Sequence, residues 1–182
     1  MEPGAGKEDS LPLIAYYAAA RKHDATSFAS RHPDPILVYA AAKQWSPEKS
    51  FATTTQLVSI KELRRTQGTE AGHKGVEMRI ALVKKSVRNP FADQIYLGRA
   101  NNNDIILEDE SVSKAHAFFT NSADGWDISD VESVNGTFVS GVKVTKTKHI
   151  ADATELRFGN CQATFYLPKG FFAYLTRVLA NT

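Results

Sequence analysis

One cysteine, two methionines and two tryptophans among 182 residues leave this chain few redox-active or metal-binding side chains. Cys161 alone cannot close an intrachain disulfide and is far short of a structural zinc set, so a reducing compartment suits it. His23, His32, His73 and His149 stand apart without metal-ligand spacing, and neither a metal nor a cofactor is implied. Charge of one sign is lacking too: 22 Lys and Arg against 20 Asp and Glu leave +2. That is too little to predict binding to nucleic acid or to an anionic membrane. No apolar run approaches the roughly 20 residues that span a bilayer. Residues 11–20 are apolar, but Glu2, Glu8 and Asp9 outweigh Lys7 where a signal peptide is basic. Gly4-Ala5-Gly6-Lys7 continues into Glu8, where a phosphate-binding loop needs Ser or Thr, and no strand precedes it. The expected location is the cytoplasm.

What is present reads as one globular domain with a sizeable remainder. Hydrophobic residues make up 42% and charged residues 23%, as in an ordinary soluble protein. A helix is predicted near 11–23, with Asp9 or Ser10 as N-cap, Pro12 in its first turn and Arg21, Lys22 and His23 at its end. The His32-Pro33-Asp34-Pro35 breaker and a β-prone run at 36–39 follow, then a second loop around Ser46-Pro47. Residues 68–75, Gly-Thr-Glu-Ala-Gly-His-Lys-Gly, cannot carry an apolar face and read as a linker. Beyond it the texture becomes about ten short β-prone runs separated by turn residues, the pattern of an all-β sandwich or barrel. They fall at 78–83, 95–97, 105–107, 115–120, 126–129, 137–139, 142–144, 155–158 and 162–167. Phe172, Leu175, Val178 and Leu179 then space out one buried face of a short closing helix. The expected division is an N-terminal extension at 1–67, the linker at 68–75, the β domain at 76–167 and the closing helix at 168–182. The β domain holds 10 basic and 12 acidic residues, so any anion site in it requires a few aimed donors.

Three loops have a distinctive polar content: Gly98-Arg99, the run from Ser111 through Val112, Ser113, Lys114 and Ala115 to His116, and Ser133-Val134-Asn135-Gly136-Thr137. Gly-Arg after a strand, Asn-Asp-Ile before another, Ser-x-x-His after an acidic loop, and Asn-Gly-Thr-Phe-Val before Gly141 occur in register. Together they resemble the forkhead-associated (FHA) domain over residues 76–167, as found in small bacterial FHA-domain adaptors. The resemblance implies a mainly β protein: an FHA-type sandwich of about eleven strands with an N-terminal helical or mixed extension and a short C-terminal helix. It also implies a non-enzymatic phosphothreonine-peptide reader for signalling, working through the loops at one end and serving Ser/Thr-kinase products as partners.

The residues suit that role. Phosphothreonine carries about −1.5 to −2 charges and three acceptor oxygens, so its reader needs fixed donors. Arg99 offers a planar fork of donors, Ser113 a hydroxyl and Lys114 a point charge. By the resemblance Arg99 and Ser113 bind the phosphate, and Asn135 binds the backbone of the flanking peptide. Asn135-Gly136 also suits a tight hairpin turn. Gly98, His116, Val134, Gly136 and Thr137 are expected to support the loops. His116 stands three residues after Ser113, as a base would after a nucleophile, yet no Gly-x-Ser-x-Gly elbow or orienting carboxylate accompanies the pair. It is expected to be structural. Val134 stands where members often have a small hydroxyl residue; it either removes a donor or forms an apolar wall against the threonine methyl. Ala153-Thr154 replaces a common Gly-Asp turn, which puts only local turn stability in question. Thr53, Thr54 and Thr55, if phosphorylated, could be bound by the same domain across the linker, although a plain β-prone stretch is the blander reading. The alternative function is a structural or interaction protein whose FHA fold docks partners without phosphate.

Overall fold

The computed structural model describes residues 13–40, 55–57 and 78–180. The predicted linker at 68–75, the helix-start residues Asp9, Ser10 and Pro12, and Thr53 and Thr54 lie outside them. The chain begins with helix α1 (Leu13–Lys22), whose last turn carries Arg21 and Lys22. Helix α2 (Ala25–Arg31) follows at once. Sequence patterning misses this second helix because it is only seven residues long. Its cap explains it: the Asp24 carboxylate accepts from the Thr26 and Ser27 amides at 2.9 and 3.0 Å, which holds its pKa below the usual carboxylate range.

Twelve strands follow among the described residues: β1 (Ile36–Ala40), β2 (Thr55–Leu57), β3 (Met78–Leu82), β4 (Ile95–Gly98), β5 (Ile105–Ile106), β6 (Ala117–Ser122), β7 (Gly125–Asp130), β8 (Thr137–Val139), β9 (Val142–Lys143), β10 (Thr147–Ile150), β11 (Thr154–Phe158) and β12 (Cys161–Tyr166). Helix α3 (Pro168–Ala180) closes the chain. It starts at Pro168 itself, because proline at the first helical position loses an amide that would have no helical partner anyway. The strands form a seven-stranded sheet, ordered β2-β3-β1-β12-β11-β8-β9, and a five-stranded sheet, ordered β10-β7-β6-β4-β5. Strand β10 was not expected. Its Thr147, Lys148 and His149 are exposed on a sheet edge, where charge blunts pairing with other chains and also hides the strand from an apolar-pattern search.

The sheets face each other over a core that includes Leu37, Leu97, Phe119, Ile128, Phe158 and Phe165, all fully buried. A second core lies on the other side of the seven-stranded sheet, where Ile36, Val38, Ile80 and Tyr166 meet Tyr16, Tyr17 and Phe28 of the N-terminal helices and Phe171 and Leu175 of α3. The fold is therefore a β-sandwich with a helical third layer. Strand β1 belongs to both cores: Leu37 and Tyr39 point into the sandwich and Ile36 and Val38 into the helical layer. This double burial is why it reads as an unbroken apolar run rather than an alternating one. It lies between β3 and β12, paired antiparallel to each. No described helix is long and apolar enough to cross a membrane.

Candidate functional site

Three loops meet at one end of the sandwich: β4 to β5 (99–104), β5 to β6 (107–116) and β7 to β8 (131–136). The first two are joined by backbone hydrogen bonds, from Arg99 N to Ser113 O at 2.9 Å and from Ala100 N to Lys114 O at 3.1 Å. Only glycine permits this approach at position 98, since a Cβ there would lie 2.3 Å from Lys114 O. Asn103 completes the joint, its Nδ2 donating to Ala100 O and Lys114 O, each at 2.7 Å. Arg99 thus sits, exposed, at the end of a tied strand, and its Nε donates to Val112 O at 3.2 Å. Such a bond aims the guanidinium and leaves its terminal nitrogens for another acceptor.

His116 links the second loop to the third. It is 0% exposed; its Nδ1 accepts from Ser113 N at 3.0 Å, and its Nε2 lies 3.2 Å from Gly136 O. An Nδ1 that accepts is unprotonated, so the neutral ring carries its proton on Nε2 and donates it to the carbonyl. Burial lowers its pKa, against the opposing pull of Gly136 O and Asp130, and keeps the ring in this form. Both nitrogens are therefore engaged by backbone, and neither serves the Ser113 hydroxyl as a base. That hydroxyl instead accepts from Val134 N at 3.0 Å, leaving its own proton for a further acceptor.

The third loop is folded by Asp130, which sequence reasoning missed. Its carboxylate accepts from Ser133 N at 3.0 Å and from Ser133 Oγ and Thr137 Oγ1 at 2.6 Å each. Burial pushes its pKa up, and these donations outweigh that and hold it below the ordinary range. The Asp130-x-x-Ser133 spacing, which lets an aspartate accept from the amide and hydroxyl three residues on, was the available signal. Asn135 stands exposed beyond this turn, with Nδ2 donating to Ser111 O at 2.8 Å. Gly136 has φ +79°, in the region that favours glycine. The Asn-Gly pair is not the hairpin turn it resembled, however. That turn is Ser140-Gly141, with φ +48° and +80° at its two residues, between paired Val139 and Val142. Val134 projects its side chain into solvent, 87% exposed, and Lys114 is also exposed.

Asp104, also missed as a support, anchors the first loop from below. Its buried carboxylate accepts from Ser86 N at 2.6 Å, Tyr96 N at 2.8 Å, the Lys85 ammonium at 3.2 Å and Asn89 Nδ2. Burial alone would raise its pKa; Asn89, Ser86 and Tyr96 together lower it. Arg99, Ser113, Lys114 and Asn135 thus gather on loops cross-tied by Asn103, His116 and the Ser113–Val134 and Asn135–Ser111 bonds, the third loop folded by Asp130. The arrangement aims polar groups at an anion but assembles no nucleophile and base.

Residues 95–159, from the first strand of the five-stranded sheet through all three loops, match the family model of the FHA domain. The chain contains an FHA domain. Among curated proteins, it is similar to the ABC transporter ATP-binding/permease protein Rv1747 of Mycobacterium tuberculosis, with 32% identity over 99 residues. That match covers 54% of this chain but only 11% of the transporter protein. Similarity to the oxoglutarate dehydrogenase inhibitor of Corynebacterium jeikeium is 29% over 134 residues, covering 65% of this chain and 90% of the inhibitor. Among solved structures, the Slr1951 protein of Synechocystis aligns with 18% identity and a TM-score of 0.46, covering 74% of this chain and 95% of its own. The FHA-2 domain of Rv1747 aligns with 34% identity and a TM-score of 0.35, covering 38% of this chain and 64% of its own. The FHA match stops short of the N-terminal helices and β1 to β3, so the helical layer lies outside it.

Proposed function

We propose that this FHA protein is a cytoplasmic, non-catalytic signalling adaptor that binds phosphothreonine peptides made by a Ser/Thr kinase. The observation that carries the reading is the cross-tied loop end, where Arg99, Ser113 and Asn135 sit on three segments joined by hydrogen bonds. Arg99 and the Ser113 hydroxyl hold the phosphate, Lys114 adds charge, and Asn135 bonds the backbone of an extended peptide. His116 is a positioning residue: it fixes Ser113 N–H and Gly136 C=O at one separation. The exposed Val134 side chain is available to touch the threonine methyl, while its amide aims Ser113.

The test is binding of fluorescent phosphothreonine, phosphoserine and unphosphorylated peptides to wild type and to Arg99→Ala. A charge-assisted hydrogen bond contributes about 1.5 to 3 kcal/mol. Losing Arg99 is therefore expected to weaken phosphothreonine binding more than tenfold with little effect on unphosphorylated peptide. Equal binding of all three peptides by wild type would refute the reading. The domain's own Thr55 is a further candidate ligand if phosphorylated. It opens β2, paired with Ala81 of β3 at the edge of the seven-stranded sheet, in keeping with the blander role. Mass spectrometry after treatment with a threonine kinase, followed by peptide competition, decides between the two roles.

A further inference from the structure

Beside the three loops lies a cation that the phosphate reading does not use. Lys143 is on β9, the edge strand of the seven-stranded sheet, opposite Phe138 of β8. Its stem crosses the bare face of Gly136. A Cβ on that glycine would come 2.9 Å from Lys143 Cε, 3.6 Å from Nζ and 3.2 Å from Phe138 Cε2. The end of the Lys143 side chain therefore lies beside the residue next to Asn135. No carboxylate among the described residues pairs with Lys143, nor with Arg99 or Lys114. Phe138 takes a different cation, the Arg157 guanidinium, at 3.6 Å from the ring centroid, and Arg157 also donates to Gly159 O. Arg157 is thus occupied and Lys143 is not.

We propose that Lys143 is a specificity-determining residue that selects phosphothreonine partners with an aspartate or glutamate within three residues of the phosphothreonine. The proposal rests on the phosphothreonine reading above and adds to it the chemistry of the flanking sequence. An extended peptide bonded through its backbone to Asn135 advances about 3.3 Å per residue with side chains on alternate sides. One to three residues from the contact, a side chain passes over Gly136, and a carboxylate there meets the ammonium. A neutral residue leaves Lys143 solvated, and a basic one is repelled. The stem already lies along Gly136, whose missing side chain leaves room for it, and this limits the side-chain freedom that pairing has to remove.

The experiment uses the full chain and peptides with a fixed phosphothreonine. The three positions on each side carry Asp, Glu, Ala or Lys in turn, and affinities are read by fluorescence anisotropy at low and high salt. Wild type is expected to bind the best acidic peptide about three- to tenfold more tightly than its alanine counterpart, with the preference shrinking as salt rises. Lys143→Ala is expected to erase the preference and Lys143→Glu to turn it toward the lysine peptide, both keeping the wild-type melting temperature because the side chain is exposed. An acidic preference absent from wild type, or undiminished in Lys143→Ala, overturns the proposal while leaving phosphothreonine binding intact. Wild type that does not distinguish phosphothreonine from threonine overturns the underlying reading, and the proposal with it.

Discussion

His116 offers no catalysis, yet its replacement is expected to be among the most damaging changes at the loop end. His116→Ala leaves the part-buried Ser113 N–H and the buried Gly136 C=O without partners, at about 1 to 3 kcal/mol each. Chemical denaturation should show a loss of about 2 to 6 kcal/mol together with weakened phosphopeptide binding. Its titration sets a pH window. Because the folded-state pKa lies below that of the unfolded chain, the unfolded state takes up the proton first. Stability is then complete above the ordinary histidine pKa and falls as pH drops through about 6.5 toward the depressed value. His32, lowered by burial against Tyr16 and Phe28, acts in the same direction. A second loss follows at lower pH: Asp104 and Asp130, both depressed, contribute stability above about pH 4 that disappears as pH falls through their folded values. Thermal melts from pH 8 to 3 should show two declines, and His116→Gln should diminish the first alone. At this scale the sequence was legible where a motif carries its residues in order, as at Gly98, Arg99, Ser113 and His116. It was not legible at Asp130, whose partners Ser133 and Thr137 become significant only once the turn has closed.

The elements carry their own local conflicts. Ala153, in the turn before β11, has φ +58°, a conformation that costs an L-residue about 1 kcal/mol or more. It is exposed, and Ala151 N is held by Thr154 Oγ1 at 3.0 Å, so the turn survives the strain. Ala153→Gly is expected to raise stability by about 0.5 to 1 kcal/mol, read as a higher denaturation midpoint with unchanged peptide affinity. The same logic makes Ser140, at φ +48°, a place where asparagine should be tolerated or favoured. Strand existence was readable from short β-branched and aromatic runs. Helix α2 and strand β10 were not, the one because a cap rather than periodicity defines it, the other because it is an exposed edge carrying lysine.

At the scale of the whole molecule, the seven-stranded sheet includes a strand that precedes the predicted linker. Deleting residues 1–75 removes β1 and leaves the facing edges of β3 and β12 unpaired in mid-sheet. It also uncovers Ile80, Tyr166, Phe171 and Leu175, which the N-terminal layer helps to bury. A chain of residues 76–182 is therefore expected to be insoluble or to melt more than about 10 °C below the full chain. An unchanged melting temperature would show that the sandwich stands alone. The glycine-rich stretch gave no hint of this, because a composition break marks a change in backbone freedom, not whether the segments on its two sides share a sheet.

The position of β1 also sets a timetable for making the protein. Leu37 is opposite Phe165, 128 positions later in the chain, and its other neighbour, Ala81, also comes after it. At about 5 to 20 residues per second, a ribosome needs roughly 6 to 26 s to supply the second partner. During that interval β1, whose residues Ile36 to Tyr39 are all buried in the folded chain, has β3 as its one native strand partner, and the edge that β12 will cover stays open. The seven-stranded sheet therefore closes around β1 only after residues 161–166 have been made.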